Sequence, residues 1–269
     1  MNLIRARLRQ KNRTMAWPDR PARLPDRFRG RPILQPSLCP EGCRSCVDAC
    51  PTAAIQAAPL RLDLGRCLFC PACADACPAG AVRNSSDFRL AVSTREDLLL
   101  RGAGQVPGDA PRPSVPPSGL VLPDPAHLAH ALPAATRRLF GRSLKLRQVS
   151  AGGCNGCEAD LNVTGIVVFD IGRFGVQFVA SPRHADGIVV TGPVTANMRQ
   201  ALLDTWDAVP SPRLVIAVGA CALSGGPFAG SPICNDGLPP ELPVDLFVPG
   251  CPPHPLTFLD GVLRMLGRL

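Results

Sequence analysis

The residues of this sequence that are best suited to chemistry are its cysteines. Twelve of the 13 fall into three sets of four, and each set has a spacing suited to an iron–sulfur cluster, which cysteine thiolates hold. In chain order the sets are Cys39, Cys43, Cys46 and Cys50; Cys67, Cys70, Cys73 and Cys77; and Cys154, Cys157, Cys221 and Cys251. Three clusters on one chain would form a path for electrons.

The second set has the spacing C-x2-C-x2-C-x3-C followed by proline, which is the ligand run of bacterial two-cluster ferredoxins. In such a run the fourth cysteine ligates the other cluster of the pair. This rule predicts one [4Fe-4S] cluster on Cys39, Cys43, Cys46 and Cys77, and a second on Cys67, Cys70, Cys73 and Cys50. Pro51 and Pro78 follow the two runs, and the segment between the runs predicts a β-hairpin.

The first run departs from this pattern, because three residues separate its first two cysteines instead of two. We expect Gly42 to absorb the additional residue with a positive φ angle, so that the cluster is retained. A pair of zinc sites is the alternative, since C-x2-C pairs also bind zinc. Zinc does not need four cysteines that end in Cys-Pro twice, and disulfides are disfavoured because the sequence carries no secretory signal.

The third set depends on the fold of residues 143–269. Apolar runs that predict strands (LKLRQV, FGVQFVA, GIVV, LVIAVG and DLFV) alternate there with other segments, two of which have helical spacing (TANMRQALLDTWDAV and HPLTFLDGVLRMLGRL). This alternation predicts a parallel sheet with helices on its faces. The four cysteines follow predicted strands in glycine-rich segments, so we expect them to converge at the carboxyl edge of the sheet.

Four segments of this half carry a resemblance to a known family. CNGCEADL, RFGVQFVASPRHADGIVVTGPVT, GACALSGGPF and VPGCPPHP resemble the small, cluster-bearing subunit shared by NiFe hydrogenases and respiratory complex I. The resemblance implies that Cys154, Cys157, Cys221 and Cys251 hold the [4Fe-4S] cluster nearest the catalytic or quinone site. The spacing C-x2-C, in the form CNGCE, resembles the membrane-bound, energy-converting hydrogenases and formate hydrogenlyases, whose assemblies also contain a two-cluster ferredoxin subunit.

The family implies an electron-transfer subunit whose active site lies on another chain. Electrons would pass through three [4Fe-4S] clusters to a NiFe large subunit; the alternative is a complex I-like NADH/ferredoxin:quinone oxidoreductase that delivers them to quinone. The implied partners are that large subunit, membrane-anchor subunits, and an electron donor such as ferredoxin or a dehydrogenase. We expect no catalytic residue on this chain, because it has no Ser/His/Asp order, P-loop or Rossmann fingerprint.

Charge is concentrated at the start of the chain. Residues 1–31 contain ten Arg or Lys and two Asp, which equals the whole net charge of +8. A short helix there would place Leu3, Ile4 and Leu8 on one side, to lie on an anionic membrane, dock on a partner or remain a solvated tail. No nucleic acid is expected, because no nucleic-acid motif accompanies the basic residues. Without a signal core or a run of 18 apolar residues, we expect a cytoplasmic protein held at the inner face of the membrane by partner subunits.

The predicted fold is an α+β two-cluster ferredoxin domain followed by an α/β flavodoxin-like parallel-sheet domain. The predicted boundaries are a basic arm at 1–32, the ferredoxin domain at 33–98, a Pro/Gly-rich linker at 99–142, and the cluster-bearing α/β domain at 143–269. A few residues have no assigned role, and for each an ordinary structural one is the alternative: Cys234, Glu158, Asp160, Arg183, His184 and Asp186.

Overall fold

The computed structural model describes residues 3–11, 13–101, 128–141 and 143–269. Helix α1 (Leu3–Gln10) lies at the start, and its Leu3, Ile4 and Leu8 side chains are exposed. Beyond it the basic arm continues as a strap, residues 13–31, that packs on the rest of the protein. Trp17 is buried, with its ring edge-on to Phe88 at 6.0 Å and to Phe174 at 6.3 Å. The strap therefore contacts both halves of the molecule.

Short strands and helices form the ferredoxin domain. They are β1 (Pro32–Leu34), α2 (Ser45–Asp48), β2 (Ile55–Ala57), β3 (Leu60–Asp63), α3 (Ala72–Asp75), β4 (Val82–Asn84) and β5 (Leu99–Arg101). Strand β1 pairs antiparallel with β4, and β2, β3 and β5 form an antiparallel sheet in that order. The β2–β3 pair is the hairpin predicted between the two cysteine runs, and this prediction is confirmed. Each cysteine run leads into a short helix and then a strand, which gives the domain its two similar halves.

The predicted linker, residues 99–142, contains regular structure at both ends. Strand β5 occupies its first three residues, and helix α4 (Ala134–Phe140) lies near its end. Leu128, Ala129 and Phe140 are buried, so this part of the segment packs into the protein core. Most of the Pro/Gly-rich sequence, at 102–127, lies outside the described residues.

Five parallel strands form the sheet of the second domain. The elements are β6 (Leu144–Ser150), α5 (Gly156–Val163), β7 (Val176–Phe178), β8 (Gly187–Thr191), α6 (Ala196–Asp207), β9 (Leu214–Val218), α7 (Ala220–Ser224), β10 (Leu246–Val248) and α8 (Pro255–Met265). The strand order is β10-β9-β8-β6-β7, which is the flavodoxin-like order. All five predicted strands and both predicted helices are present, so the α/β prediction is confirmed.

Helix α8 is more deeply buried than its sequence pattern indicates. Every residue of the helix except Arg264 is buried, whereas a surface helix buries only one stripe. The second cover comes from the ferredoxin side of the chain, where the Thr257 hydroxyl donates a hydrogen bond of 2.8 Å to the Phe88 carbonyl. A side chain at Gly261 would clash with Ala91, so α8 approaches this segment very closely.

The two domains also share an interior near the cysteines. Ala222 and Leu223 of α7 pack in the same apolar cluster as Leu62 and Leu64 of the ferredoxin domain. The buried Ser224 hydroxyl, also on α7, donates a hydrogen bond of 2.8 Å to the carbonyl of Gly65. Elsewhere, Val92 and Phe247 exchange backbone hydrogen bonds of 3.0 and 2.9 Å beside the edge strand β10. The ferredoxin domain is thus fixed against the sheet by direct packing.

Candidate iron–sulfur sites

The first candidate site lies at the start of the ferredoxin domain. Burial raises the pKa of the Cys46 thiol on α2, and the nearby thiols whose charges raise it further are Cys77, Cys39 and Cys43. All four cysteines predicted for this site are therefore neighbours, including Cys77 from the second run. Gly42 has the positive φ that was expected of it, at +74°, and a side chain there would meet no other atom within 4 Å.

The second candidate site combines the rest of the second run with Cys50 from the first. Burial raises the pKa of the Cys67 thiol to about 12, against a hydrogen bond from the Phe69 amide that lowers it. The thiols whose charges act on Cys67 are Cys73, Cys50 and Cys70. Each ferredoxin site therefore takes one cysteine from the opposite run. Because burial disfavours bare thiolates here, metal binding at this site has to release protons.

Backbone amides point at the sulfur atoms of both ferredoxin sites. Ala54 donates to Cys50 Sγ at 3.3 Å and Ala81 donates to Cys77 Sγ at 3.2 Å, each from four residues further along the chain. Phe69 donates to Cys67 Sγ at 3.3 Å. Such hydrogen bonds stabilise thiolates and help to set the reduction potential of a bound cluster. The repeated Cys50 and Cys77 geometry follows from the internal repeat of the sequence.

The third candidate site lies at the carboxyl edge of the parallel sheet. Cys154 and Cys157 come between β6 and α5, Cys221 lies on α7 directly after β9, and Cys251 follows β10. Burial raises the pKa of Cys221 to about 11, and the charges of Cys251 and Cys154 add to the shift. Burial also raises the pKa of Cys157, with contributions from the other three cysteines. The structure thus brings this dispersed set together.

Glycines make room for the sulfur atoms of the third site. Gly219 has φ +88°, and a Cβ built on it would lie 2.5 Å from Cys157 Sγ. At Gly226, with φ +53°, a Cβ would lie 3.1 Å from Cys221 Sγ. A larger residue at Gly219 would occupy the space of the thiol and would also be strained. The buried thiols, the small residues around them and the amide donors fit an iron–sulfur cluster at each site.

Glu158 is a structural anchor beside the third site. Its side chain is buried, and its Oε1 atom accepts hydrogen bonds of 2.6 Å from both the Ser150 and the Thr191 hydroxyls. Burial alone would raise the pKa of Glu158, but these hydroxyls outweigh it and hold the pKa below its ordinary value. Glu158 is therefore ionised next to Cys157. It ties the ends of β6 and β8 to α5, a role that sequence reasoning missed because the two hydroxyl partners follow no motif.

The remaining residues without an assigned role have ordinary surroundings. Asp186 lies at the opposite edge of the sheet, where its carboxylate accepts a hydrogen bond of 2.6 Å from the Lys145 amide. Arg183 and His184 lie beside it in a turn before β8. Cys234 is partly buried and forms a backbone bridge with Thr195. Asp160, on α5, is half-buried, and burial raises its pKa.

Single-ion sites form a separate question from clusters. Within the described ranges, no three His, Cys, Asp or Glu side chains converge on the position of one metal ion. Nor is any helix of those ranges long and apolar enough to cross a membrane.

Comparisons with known proteins match both halves of the chain. Residues 154–265 match the family described as NADH ubiquinone oxidoreductase, 20 Kd subunit, and residues 38–81 match the 4Fe-4S dicluster domain. The probable membrane-bound hydrogenase subunit mbhJ of Pyrococcus furiosus is 43% identical over 49% of this chain and 79% of its own length. Formate hydrogenlyase subunit 7 of Escherichia coli is 41% identical, over 52% of this chain and 54% of its own length. A subunit of the NADH-quinone oxidoreductase of Heliobacterium modesticaldum is 41% identical, over 42% and 65%.

Proposed function

Because the chain belongs to the family of the NADH ubiquinone oxidoreductase 20 kDa subunit, with a 4Fe-4S dicluster domain ahead of it, we propose that it is an electron-transfer subunit of a membrane-associated, multisubunit hydrogenase. The observation that carries this proposal is the grouping of twelve cysteines into three sites of four neighbours. A [4Fe-4S] cluster, when bound, supplies one-electron redox chemistry.

We assign the cluster ligands as the neighbouring cysteines. Cys39, Cys43, Cys46 and Cys77 would hold the first cluster, Cys67, Cys70, Cys73 and Cys50 the second, and Cys154, Cys157, Cys221 and Cys251 the third. The crossed arrangement of the first two sites is supported by the influence of Cys77 on Cys46 and of Cys50 on Cys67.

A hydrogenase is favoured over a quinone reductase as the parent complex. Two relatives of this chain are named as hydrogenase or formate hydrogenlyase subunits, and the chain has the C-x2-C spacing that resembles those enzymes. The second candidate is the equivalent subunit of a complex I-like NADH/ferredoxin:quinone oxidoreductase, which the similarity to the NADH-quinone oxidoreductase of Heliobacterium modesticaldum supports. In either complex, the chain acts as an electron-transfer subunit and the active site lies on a partner.

The surface around the third site suits a large partner subunit. Cys154 and Cys251 are exposed. Ile233, which is 67% exposed, lies at the same edge of the sheet, because its carbonyl accepts a hydrogen bond from the first residue of α6. Phe228 is also exposed and follows α7, which carries Cys221. Apolar side chains beside a cluster site are suited to the core of a protein interface. Membrane attachment would come through anchor subunits, and electrons from a donor such as ferredoxin or a dehydrogenase.

Anaerobic co-purification tests this function. The tagged full chain is purified from its native cells, and its partners are identified by mass spectrometry. We expect a large subunit whose sequence contains two CxxC pairs for a NiFe site. A large subunit with none would replace the hydrogenase with the quinone reductase. The variant Ile233→Asp should lose this partner, while Leu139→Asp, equally exposed but on α4, should keep it.

A further inference from the structure

The second and third cysteine sites meet at a cleft between the two domains. The cleft has a volume of about 330 Å³, and its walls include Phe69, Asp160, Cys251 and His254. Cys251 is also close enough to Cys70 for the charge of one thiolate to act on the other. Because Cys70 belongs to the second site and Cys251 to the third, these two sites are adjacent across the domain boundary.

Arg29 binds the loop of the second site on the side of this cleft. Its Nε atom donates a hydrogen bond of 2.9 Å to the carbonyl of Phe69, and Arg29 itself lines the cleft. Phe69 lies between Cys67 and Cys70, and its own amide points at Cys67 Sγ. The residue has a positive φ of +54°, which a non-glycine residue adopts only when its surroundings hold it there. The arginine therefore contacts a constrained loop that carries two of the four thiols.

The strap on either side of Arg29 is anchored to both domains. Phe28 packs edge-on against His254 of the α/β domain, with ring centroids 5.2 Å apart. On the other side, the Gly30 amide donates a hydrogen bond of 2.7 Å to the Ser85 carbonyl of the ferredoxin domain. A side chain at Gly30 would clash with the backbone of Asp87, so the strap lies tightly against that segment. These anchors fix the position of Arg29 relative to both sites.

We propose that Arg29 is a positioning residue for the second cluster, and that its charge raises the reduction potential of this cluster relative to the other two. This inference rests on the proposed function, because it requires the clusters. Reduction adds negative charge to a cluster, so a nearby fixed cation stabilises the reduced form. Arg29 is exposed to solvent on its other side, so salt should weaken the effect.

The test is an anaerobic redox titration of the full chain, followed by electron paramagnetic resonance (EPR). Arg29→Gln removes the charge, and Arg29→Lys keeps it. Arg23→Gln is the matched control, because Arg23 is an exposed residue of the same strap that does not line the cleft. We expect Arg29→Gln to move one of three midpoint potentials to a more negative value, and high salt to reduce the difference from wild type. Arg29→Lys should stay close to wild type, and Arg23→Gln should leave all three potentials unchanged.

Iron content separates the possible failures. Full iron in Arg29→Gln with three unchanged potentials would overturn this inference alone, as would an equal shift in Arg23→Gln. Loss of about four irons in both Arg29 variants would also overturn it, because the residue would then be needed to hold the loop rather than to tune the cluster. A wild-type chain without iron–sulfur clusters would overturn the proposed function, and this inference with it.

Discussion

The two sites of the ferredoxin domain take their thiols from short contiguous runs, whereas the third takes its thiols from three loops that the parallel sheet brings together. In the ferredoxin domain, backbone amides within two to four residues of a cysteine point back at its sulfur atom, as Ala54 does for Cys50. At the third site the sulfur atoms lie against distant glycines, as Cys157 does against Gly219. The first two sites are thus built by local turns and the third by the fold.

This difference determines what each site depends on. A change in a local turn should affect one or two ferredoxin sites, and a change in the sheet or its edge loops should affect the third. The two kinds of site are nevertheless joined, because Ser224 of α7 binds the Gly65 carbonyl just before the second cysteine run. The predictions that follow test how separate they are, from the largest expected effect to the smallest.

The largest effect should come from removing two cysteines of different ferredoxin sites. The double variant Cys39→Ala/Cys50→Ala removes one ligand from each crossed site, so we expect the chain to lose about eight irons. Cys39→Ala/Cys77→Ala removes two ligands from the same site, so we expect it to lose about four. Iron analysis together with EPR of the reduced protein measures both.

The opposite ranking of these two variants would show that each run holds its own cluster. A loss of about eight irons in both would mean that the two sites cannot form independently. Either result would contradict the crossed arrangement of local sites.

The third site should be lost when its glycine cradle is filled. Gly219→Ala places a methyl group 2.5 Å from Cys157 Sγ at a φ of +88°, so we expect the loss of about four irons while both ferredoxin signals remain. Gly230→Ala is the control, since Gly230 has a similar φ of +78° but nothing within 4 Å of the added carbon. It should keep all its iron. If the two variants kept the same iron content, the cradle would have no part in the third site.

A charge beside the third site should matter more than one beside the first. Glu158 is buried and ionised next to Cys157, whereas Glu41 is exposed in the loop between Cys39 and Cys43. We expect Glu158→Gln to raise the midpoint potential of the third cluster, because it removes a negative charge from a poorly solvated position. Glu41→Gln should shift the first cluster less, because water screens the exposed charge. A redox titration followed by EPR that gave equal shifts would contradict this difference.

The smallest effect concerns the stability of the sheet that carries the third site. Burial raises the pKa of Asp245, against a hydrogen bond from the Val215 amide that lowers it. An Asp whose folded pKa is raised destabilises the fold once the pH exceeds its ordinary value. Asp245→Asn keeps an acceptor for Val215 and should raise the unfolding free energy at pH 7 by on the order of 1 kcal/mol.

This gain should shrink as the pH falls from 7 toward 5, because wild-type Asp245 then becomes protonated in the folded state. Thermal unfolding of the cluster-loaded protein at both values measures it. Asp245→Ala, which loses the acceptor, should not show the gain. A difference that grew toward pH 5 would contradict the assigned direction of the pKa shift.

Features with a regular spacing in the sequence were predicted correctly. The cysteine runs, the hairpin between them, the five strands and the helices α6 and α8 all follow from short-range patterns. The positive φ of Gly42 followed from one additional residue in a known spacing. Such features depend on residues that are close together in the chain, and their physical causes are local.

Features that depend on long-range packing were not predictable in the same way. The arm was expected to lie on a membrane, dock on a partner or stay solvated, but Trp17 is buried between Phe88 and Phe174, and no motif marks that contact. The second cover on α8 and the meeting of Cys70 with Cys251 arise from the way the domains pack. Fold-level rules placed the four cysteines of the third set at one edge, but they could not identify what lies opposite.

The most direct test is to measure the metal content of the anaerobically purified full chain, with iron, acid-labile sulfide and zinc analysis and EPR of the reduced protein. We expect about 12 irons and about 12 sulfides per chain, at about four of each per cubane, with three reducible clusters. Of these, two should survive Gly219→Ala and one should not. A chain that contained zinc, or far fewer than about 12 irons, would contradict the assignment of three clusters to three sets of cysteines.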